Sequence, residues 1–169
     1  DEVISTAMTC TATNWPILAH GATIVWADID PETGNIDPES IKSRLSPKTK
    51  AVMAVDWGGY PCDIDRIKKT VGTVPVIEDA AHALGAMYKG RMVGNAADYT
   101  CFSFQAIKHL TTVDGGALLV KTKKDYSKAT LLRYFGIDRT KRAKDYRIEK
   151  DIYHWGYKFH MNDVNATLG

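Results

Sequence analysis

The sequence predicts an α/β fold of three layers, α/β/α, with a mostly parallel sheet. Short apolar runs alternate with segments of helical pattern along the chain, an order that is typical of α/β domains. Several of these runs, residues 51–55 among them, are apolar or nearly so throughout, as expected for parallel strands covered by helices on both faces. Helix ends are marked as well, because Asp37 precedes Pro38 as a predicted N-cap and glycines 21 and 136 suit helix ends.

Six strands and five helices follow from these patterns, each strand being an apolar run bounded by turn residues. The predicted strands cover residues 3–5, 23–28, 51–55, 74–78, 99–103 and 117–121. The predicted helices cover residues 11–19, 38–45, 64–71, 124–134 and 163–168. No internal repeat, linker or low-complexity tract divides the chain, so its 169 residues are expected to form a single domain.

Three side chains of complementary chemistry lie at or after the ends of predicted strands. Asp79 and Ser103 each close an apolar run, and Lys108 lies in the loop that follows Ser103. In an open α/β sheet, ligands bind at the carboxyl ends of the strands. Pyridoxal phosphate requires an amine that bonds to its aldehyde, a carboxylate that keeps its ring nitrogen protonated, and a hydroxyl that binds its phosphate. The combination predicts an aminotransferase.

Two segments then carry a resemblance to a known family. Residues 78–86 (EDAAHALGA) and 102–116 (FSFQAIKHLTTVDGG) resemble the signature blocks of the DegT/DnrJ/EryC1/StrS sugar aminotransferases, which are fold type I pyridoxal phosphate enzymes. The match continues in further segments, which follow one another in the same order as in the family. These segments are residues 9–13, 21–30, 57–61 and 156–166. The resemblance therefore extends over nearly the whole chain.

The resemblance also bears on the extent of the chain. Members of this family are more than twice as long, so residues 1–169 resemble a partial pyridoxal-phosphate-binding large domain, truncated at both ends and without the small C-terminal domain. In fold type I enzymes the active site lies at a dimer interface and is closed by the small domain. We therefore expect a homodimer for the full-length protein. We expect the fragment alone to be inactive or nearly so, and to expose apolar surface through which it associates.

The family's site residues match individual positions of this sequence. The resemblance implies that Lys108 carries pyridoxal 5'-phosphate and later moves a proton, that Asp79 pairs with the ring nitrogen, and that Ser103 binds the phosphate. His82 lies three residues after Asp79 and matches a family position whose side chain lies near the oxygen on the cofactor ring or near its partner carboxylate. A helical turn would bring the side chains of both Asp79 and His82 to the cofactor. Lys158 matches a position that reaches the cofactor phosphate of the neighbouring subunit.

The chain departs from the family's pattern at three positions. Cys10 stands where many members have an aromatic residue that stacks on the cofactor ring. In the block at 156–160 the family usually has Asn and Arg, where this chain has Lys158 and His160. A lysine there supplies positive charge without the two-pronged geometry of a guanidinium.

The resemblance implies transfer of an amino group, from an amino-acid donor such as glutamate, to a keto group of a nucleotide-linked deoxysugar. A dehydratase branch of the same family has His in place of the cofactor-bearing lysine, and Lys108 argues against it although His109 is adjacent. A nucleotide-binding α/β module without catalysis is another alternative, which the absence of a G-x-G-x-x-G or P-loop motif weakens. A regulator that keeps the fold and the cofactor without turnover stays open.

Composition limits the partners and the compartment. The formal net charge is only +2, which argues against broad attraction to nucleic acid. The one basic cluster, residues 138–144, is interpreted either as a solvated loop or as a surface that steers an anionic substrate. The cysteines, Cys10, Cys62 and Cys101, show no metal-ligand spacing and are expected to be reduced and buried, as in a cytoplasmic protein. No apolar stretch reaches the roughly 20 residues that span a bilayer.

Overall fold

The computed structural model describes residues 1–139 and 152–169. The predicted basic cluster at 138–144 therefore lies outside the described residues from position 140 onward. The prediction that it is a solvated loop or a steering surface stays a prediction.

Six strands form one mixed sheet, which confirms the predicted fold class. In spatial order the strands are β2-β1-β3-β4-β7-β8, and every neighbouring pair is parallel except the last, β7 and β8. Their bounds are Glu2–Ser5 for β1, Thr23–Trp26 for β2, Thr49–Val55 for β3, Val76–Asp79 for β4, Tyr99–Ser103 for β7 and Gly116–Val120 for β8. The strands that end at Asp79 and Ser103 are therefore direct neighbours, as the α/β prediction requires.

All five predicted helices are present among the described residues. They are α1 (Thr11–Ala19), α2 (Pro38–Arg44), α3 (Ile64–Val71), α4 (Lys123–Arg133) and α5 (Asp163–Leu168). Asp37 caps α2 as predicted, because its carboxylate accepts hydrogen bonds from the backbone N–H groups of Glu39 and Ser40.

Two local features differ from the prediction. The strand expected at 23–28 ends at Trp26, because the chain leaves the sheet there and pairs with itself, Ile29 opposite Ile36. A small hairpin of β5 (Met87–Tyr88) and β6 (Arg91–Met92) was not predicted. Its two-residue turn has positive φ at Lys89 as well as at the glycine that follows, and lysine is an uncommon residue for that conformation.

The hydrophobic core lies between the central strands and helices α2 and α3. Ile4, Val52 and Val76 of the sheet pack in one cluster with Ile41 of α2 and Ile67 of α3, and none of these five side chains has exposed surface. Burial of such side chains is the main favourable contribution to folding. This cluster fixes the positions of β3 and β4, from whose ends the candidate site is built.

Both faces of the central strand β3 are buried. Val52 and Ala54 belong to the core cluster, whereas Ala51 and Val55 are buried outside it. Successive side chains of a strand point to opposite faces, so the second pair packs on the other side of the sheet. Burial on both faces explains why the run is apolar throughout.

Among the residues that the structure describes, no helix has the length and apolar character needed to cross a membrane.

Candidate active site

Polar side chains gather where the parallel strands end. Val55 at the end of β3 pairs with Asp79 at the end of β4, and Asp79 in turn pairs with Cys101, two residues before Ser103. The sheet therefore brings Asp79 and Ser103 to one edge, although 24 positions separate them in the sequence. This is the edge at which ligands bind in open α/β sheets.

The Asp79 carboxylate is held by two hydrogen bonds. Its Oδ1 accepts from the backbone N–H of Ala81 at 3.1 Å, which closes an Asx turn rather than capping a helix. Its Oδ2 accepts from the hydroxyl of Thr13, on helix α1, at 2.5 Å. A carboxylate has about four lone-pair positions, so Asp79 can accept a further donor.

Ser103 begins a chain of hydrogen bonds that leads to Lys108. The Ser103 hydroxyl oxygen accepts from the backbone N–H of Gln105 at 3.3 Å, and the Lys108 N–H donates to the Gln105 carbonyl at 2.9 Å. The Gln105 side-chain oxygen also accepts from Ile107 N–H at 3.1 Å. These contacts shape the loop and leave the Ser103 hydrogen able to donate to a ligand.

Lys108 and His82 line the same cavity, which has a volume of about 320 Å³. Its other lining residues are Gly58, Ile107 and His109. Residues 80–86 form turns rather than the expected helical turn, and Ala83 N–H bonds to Ala80 O. His82 thus reaches the cavity without a helix, while Asp79 and Ser103 do not line it.

Two glycines allow the cavity wall to form. Gly58 and Gly59 have φ values of 60° and 86°, which favour glycine. A Cβ added at Gly59 would lie 2.7 Å from the carbonyl oxygen of His82. The turn after β3 therefore lies directly against the backbone of His82, and the Trp57 ring lies 6.4 Å from the His82 ring, centre to centre.

His109 also lines the cavity, but one of its ring nitrogens is engaged. Its Nε2 lies 2.9 Å from the carbonyl oxygen of Leu84. A carbonyl can only accept, so Nε2 carries the hydrogen in that contact.

Lys158 and His160 lie apart from this cavity. Lys158 is exposed and forms an antiparallel bridge with Tyr134, after helix α4. The His160 ring packs edge-on against Tyr134 at 4.5 Å between ring centres. The expectation for Lys158 concerns the cofactor of a neighbouring subunit, so it stays a prediction.

The expectation that the cysteines are buried is correct for Cys62 and wrong for Cys10 and Cys101, which are exposed because each lies at the open end of the sheet's site region rather than in the core cluster. Cys10 is the residue before α1 and is exposed, with no side-chain capping bond. Although the residue as a whole is exposed, desolvation of its thiol, with a smaller contribution from the Asp79 charge, raises the pKa of Cys101 to about 11. The Cys101 thiol therefore stays protonated at neutral pH, which argues against its acting as a nucleophile.

Asp56, which sequence reasoning missed, is the most perturbed carboxyl at this edge. It follows β3 and is 1% exposed; its Oδ1 accepts from Cys62 N–H at 2.9 Å, and its Oδ2 has no hydrogen bond. Burial raises the pKa of Asp56 to about 7, and the charges of Glu78 and Asp79 add to that effect. Its place directly after an apolar strand was the signal available in the sequence.

The donor set fits pyridoxal phosphate. A carboxylate held at a strand end, a hydroxyl with a hydrogen to donate and an amine beside a cavity occur together at one edge of the sheet. These are the three groups that the cofactor requires.

Several known proteins are similar to this chain in sequence and in fold. An uncharacterized protein of Methanocaldococcus jannaschii is 42% identical over 175 residues, which cover 100% of this chain and 45% of that protein. The sugar aminotransferase CalS13 of Micromonospora echinospora has a TM-score of 0.91 at 37% identity, over 99% of this chain and 47% of that chain. DesI, solved with its TDP-sugar product, has a TM-score of 0.78 at 38% identity, over 81% of this chain and 36% of that chain.

This chain spans about 45% of the length of the curated relatives it matches. The family model for the DegT/DnrJ/EryC1/StrS aminotransferases matches residues 1–169. Because that match extends over all 169 residues and the sheet has the fold of solved sugar aminotransferases, the chain belongs to the DegT/DnrJ/EryC1/StrS aminotransferase family.

Proposed function

We propose that the intact protein uses pyridoxal 5'-phosphate to transfer an amino group, with glutamate as donor, to a keto group of a nucleotide-linked deoxysugar. The observation that carries the chemistry is the joint placement of Asp79 and Ser103 at one sheet edge, with Lys108 in the loop that follows. The similarity to CalS13 and to DesI, a protein solved with a TDP-sugar, supports the substrate class.

Different residues of the chain would bind different groups of the cofactor. Bound pyridoxal phosphate would supply an electron sink and carry the amino group between donor and acceptor. Asp79 would accept a hydrogen bond from the ring nitrogen, because its carboxylate is fixed on both oxygens and has lone pairs to spare. Ser103 would donate its hydroxyl hydrogen to the phosphate, since its oxygen already accepts from Gln105 N–H.

Lys108 would bond covalently to the cofactor and, once released, hold and move the proton of the reaction. It lines the cavity together with His82, which would contact the cofactor or its substrate. Proton transfer by a positioned side chain contributes about 10²- to 10⁴-fold to a rate. Lys108→Ala should therefore lower amino transfer from glutamate by at least about 10²-fold in the intact protein.

The test compares three proteins in cofactor binding and in amino transfer. Wild type should develop visible absorbance with pyridoxal phosphate, Lys108→Ala should lose that absorbance, and Lys124→Ala, at an exposed lysine of α4, should behave as wild type. Unchanged absorbance in Lys108→Ala would refute the role of Lys108. Absorbance without transfer to any nucleotide-linked keto sugar would instead refute the substrate class.

The dehydratase alternative would need His109 in the place of Lys108. Since His109 Nε2 is engaged with the Leu84 carbonyl, nothing in the geometry favours that exchange of roles.

We also propose that the intact protein works in the cytoplasm as a homodimer in which Lys158 reaches the partner's cofactor phosphate. Lys158→Ala, with Lys124→Ala as control, should then weaken cofactor binding in the dimer.

A further inference from the structure

Two threonine hydroxyls form a chain that ends on the Asp79 carboxylate. Thr13 Oγ1 donates to Asp79 Oδ2 at 2.5 Å, and Thr9 Oγ1 lies 2.6 Å from Thr13 Oγ1. A hydroxyl has one hydrogen, and Thr13 directs its hydrogen to the carboxylate. Thr9 is therefore the donor to Thr13, and the chain runs in one direction, from Thr9 through Thr13 to Asp79.

The Thr13 hydroxyl departs from the usual behaviour of such groups within helices. The hydroxyls of Thr70 on α3 and of Ser127 and Thr130 on α4 donate to the backbone carbonyl four residues earlier. Thr13 instead reaches a side chain 66 positions away in the sequence. Its side chain is buried, at 5% exposure, so water does not compete for the contact.

This contact decides how the Asp79 carboxylate is oriented. The Ala81 N–H holds Oδ1 and the Thr13 hydroxyl holds Oδ2, so the carboxylate cannot rotate without losing a bond to a charged acceptor. Hydrogen bonds to charged groups contribute more than neutral ones. An acceptor that is fixed before its ligand arrives binds the ligand more tightly than one that must be ordered on binding.

We infer that Thr13, supported by Thr9, is a positioning residue that orients Asp79 toward the ring nitrogen of pyridoxal phosphate. The inference rests on the proposed function, because it assigns the ligand of Asp79. It adds Thr13 of helix α1 and Thr9, which precedes that helix, to the cofactor site, and neither would touch the cofactor through this contact.

The first test measures the dissociation constant of pyridoxal phosphate for the intact protein. Thr13→Val keeps the shape of the side chain and removes the donor, and should weaken binding by about 10- to 100-fold. Thr13→Ser keeps the donor and should stay within about threefold of wild type. Thr70→Val is the matched control, since it removes a helical threonine hydroxyl from α3 and should leave binding unchanged.

The second test uses an analogue of the cofactor with a C–H group in place of the ring nitrogen. If Thr13 acts through Asp79 on that nitrogen, Thr13→Val should weaken binding of pyridoxal phosphate much more than binding of the analogue. An equal loss for both ligands would mean a merely structural role and would overturn the inference. Thermal unfolding of the cofactor-free variants records any loss of fold separately.

Thr9→Val completes the design as a double-mutant cycle. Alone it should weaken binding by about 2- to 10-fold, and in the Thr13→Val background it should add almost nothing, because the chain is already broken. Full additivity of the two changes would contradict a connected chain.

The two proposals fail in distinguishable ways. If Lys108→Ala and Asp79→Ala abolish binding while Thr13→Val does not change it, only the inference about Thr13 fails. If wild type does not bind pyridoxal phosphate, the proposed function fails and takes the inference with it.

Discussion

Replacing Asp56 with asparagine should change how the stability of the protein depends on pH. The Asp56 side chain is 1% exposed, and burial raises its pKa from 3.8 to about 7. Asparagine keeps the acceptor for Cys62 N–H and places an amide nitrogen at the position of Oδ2, which has no hydrogen bond in the wild type. The substitution thus removes the titration, and the cost of burying the amide group is the same at every pH.

The sign of the effect follows from proton binding. Between pH 3.8 and about 7 the unfolded chain has lost the Asp56 proton while the folded chain retains it. Stability therefore falls as pH rises through this window, by about 1.4 kcal/mol per pH unit and on the order of 4 kcal/mol in all. From pH 5 to pH 8 the wild type should lose on the order of 3 kcal/mol relative to Asp56→Asn.

The assay is urea unfolding of both proteins at several pH values between these limits. The difference between wild type and variant isolates Asp56, because the other carboxyl groups titrate in both proteins. Asp28→Asn serves as the control for removing an exposed carboxylate. A difference between wild type and Asp56→Asn that stays constant from pH 5 to pH 8 would refute the argument. Infrared titration checks the same pKa directly, from the part of the protonated carboxyl band that is present in wild type and lost in Asp56→Asn.

Two further predictions concern the cavity wall and the isolated chain. Gly59→Ala should destabilise the protein and weaken cofactor binding more than Gly58→Ala. An added Cβ would lie 2.7 Å from the His82 carbonyl oxygen at Gly59, whereas it would meet nothing within 4 Å at Gly58. Equal thermal midpoints and equal affinities of the two variants would contradict this close approach. The isolated chain of residues 1–169 should transfer amino groups at least about 10²-fold more slowly than the intact protein, and in sedimentation it should associate through exposed apolar side chains such as Leu118 and Trp155. A monomeric, fully active chain would disprove that expectation.

The arrangement of Asp79 and Ser103 could be predicted from the sequence for a simple physical reason. Both residues close apolar runs, and the carboxyl ends of parallel strands lie at one edge of a sheet. The structure confirms the adjacency of β4 and β7 that this reasoning needs. Lys108 then follows within five residues of Ser103, so the loop that carries it cannot lie far from the edge.

The roles of Thr13 and Asp56 could not be predicted in the same way. Thr13 lies in a helix and contacts a residue 66 positions away, so no local pattern signals the hydrogen bond. Asp56 follows a strand, where an aspartate is usually a solvated turn residue. Its burial depends on the packing of Cys62 and on the nearby charges of Glu78 and Asp79, which only the assembled sheet brings together.

The hairpin of β5 and β6 could not be predicted from the sequence for a different reason. Its turn uses Lys89 at φ 47°, a conformation that asparagine or glycine adopts more readily. Contacts beyond the turn also hold the hairpin against α3, because the buried Tyr88 donates its hydroxyl hydrogen to Asp63. The ion pairs of Lys89 with Asp63 at 3.0 Å and of Arg91 with Asp65 at 3.3 Å are half exposed and add little.

Locating the covalent attachment of the cofactor tests the account most directly. The intact protein is incubated with pyridoxal phosphate, reduced with borohydride and digested, and the modified peptide is identified by mass spectrometry. The account predicts that the phosphopyridoxyl group lies on Lys108, and that Asp79→Ala and Thr13→Val lower the extent of labelling at a limiting cofactor concentration. Labelling of a different lysine, or no labelling above that of Lys108→Ala, would contradict it.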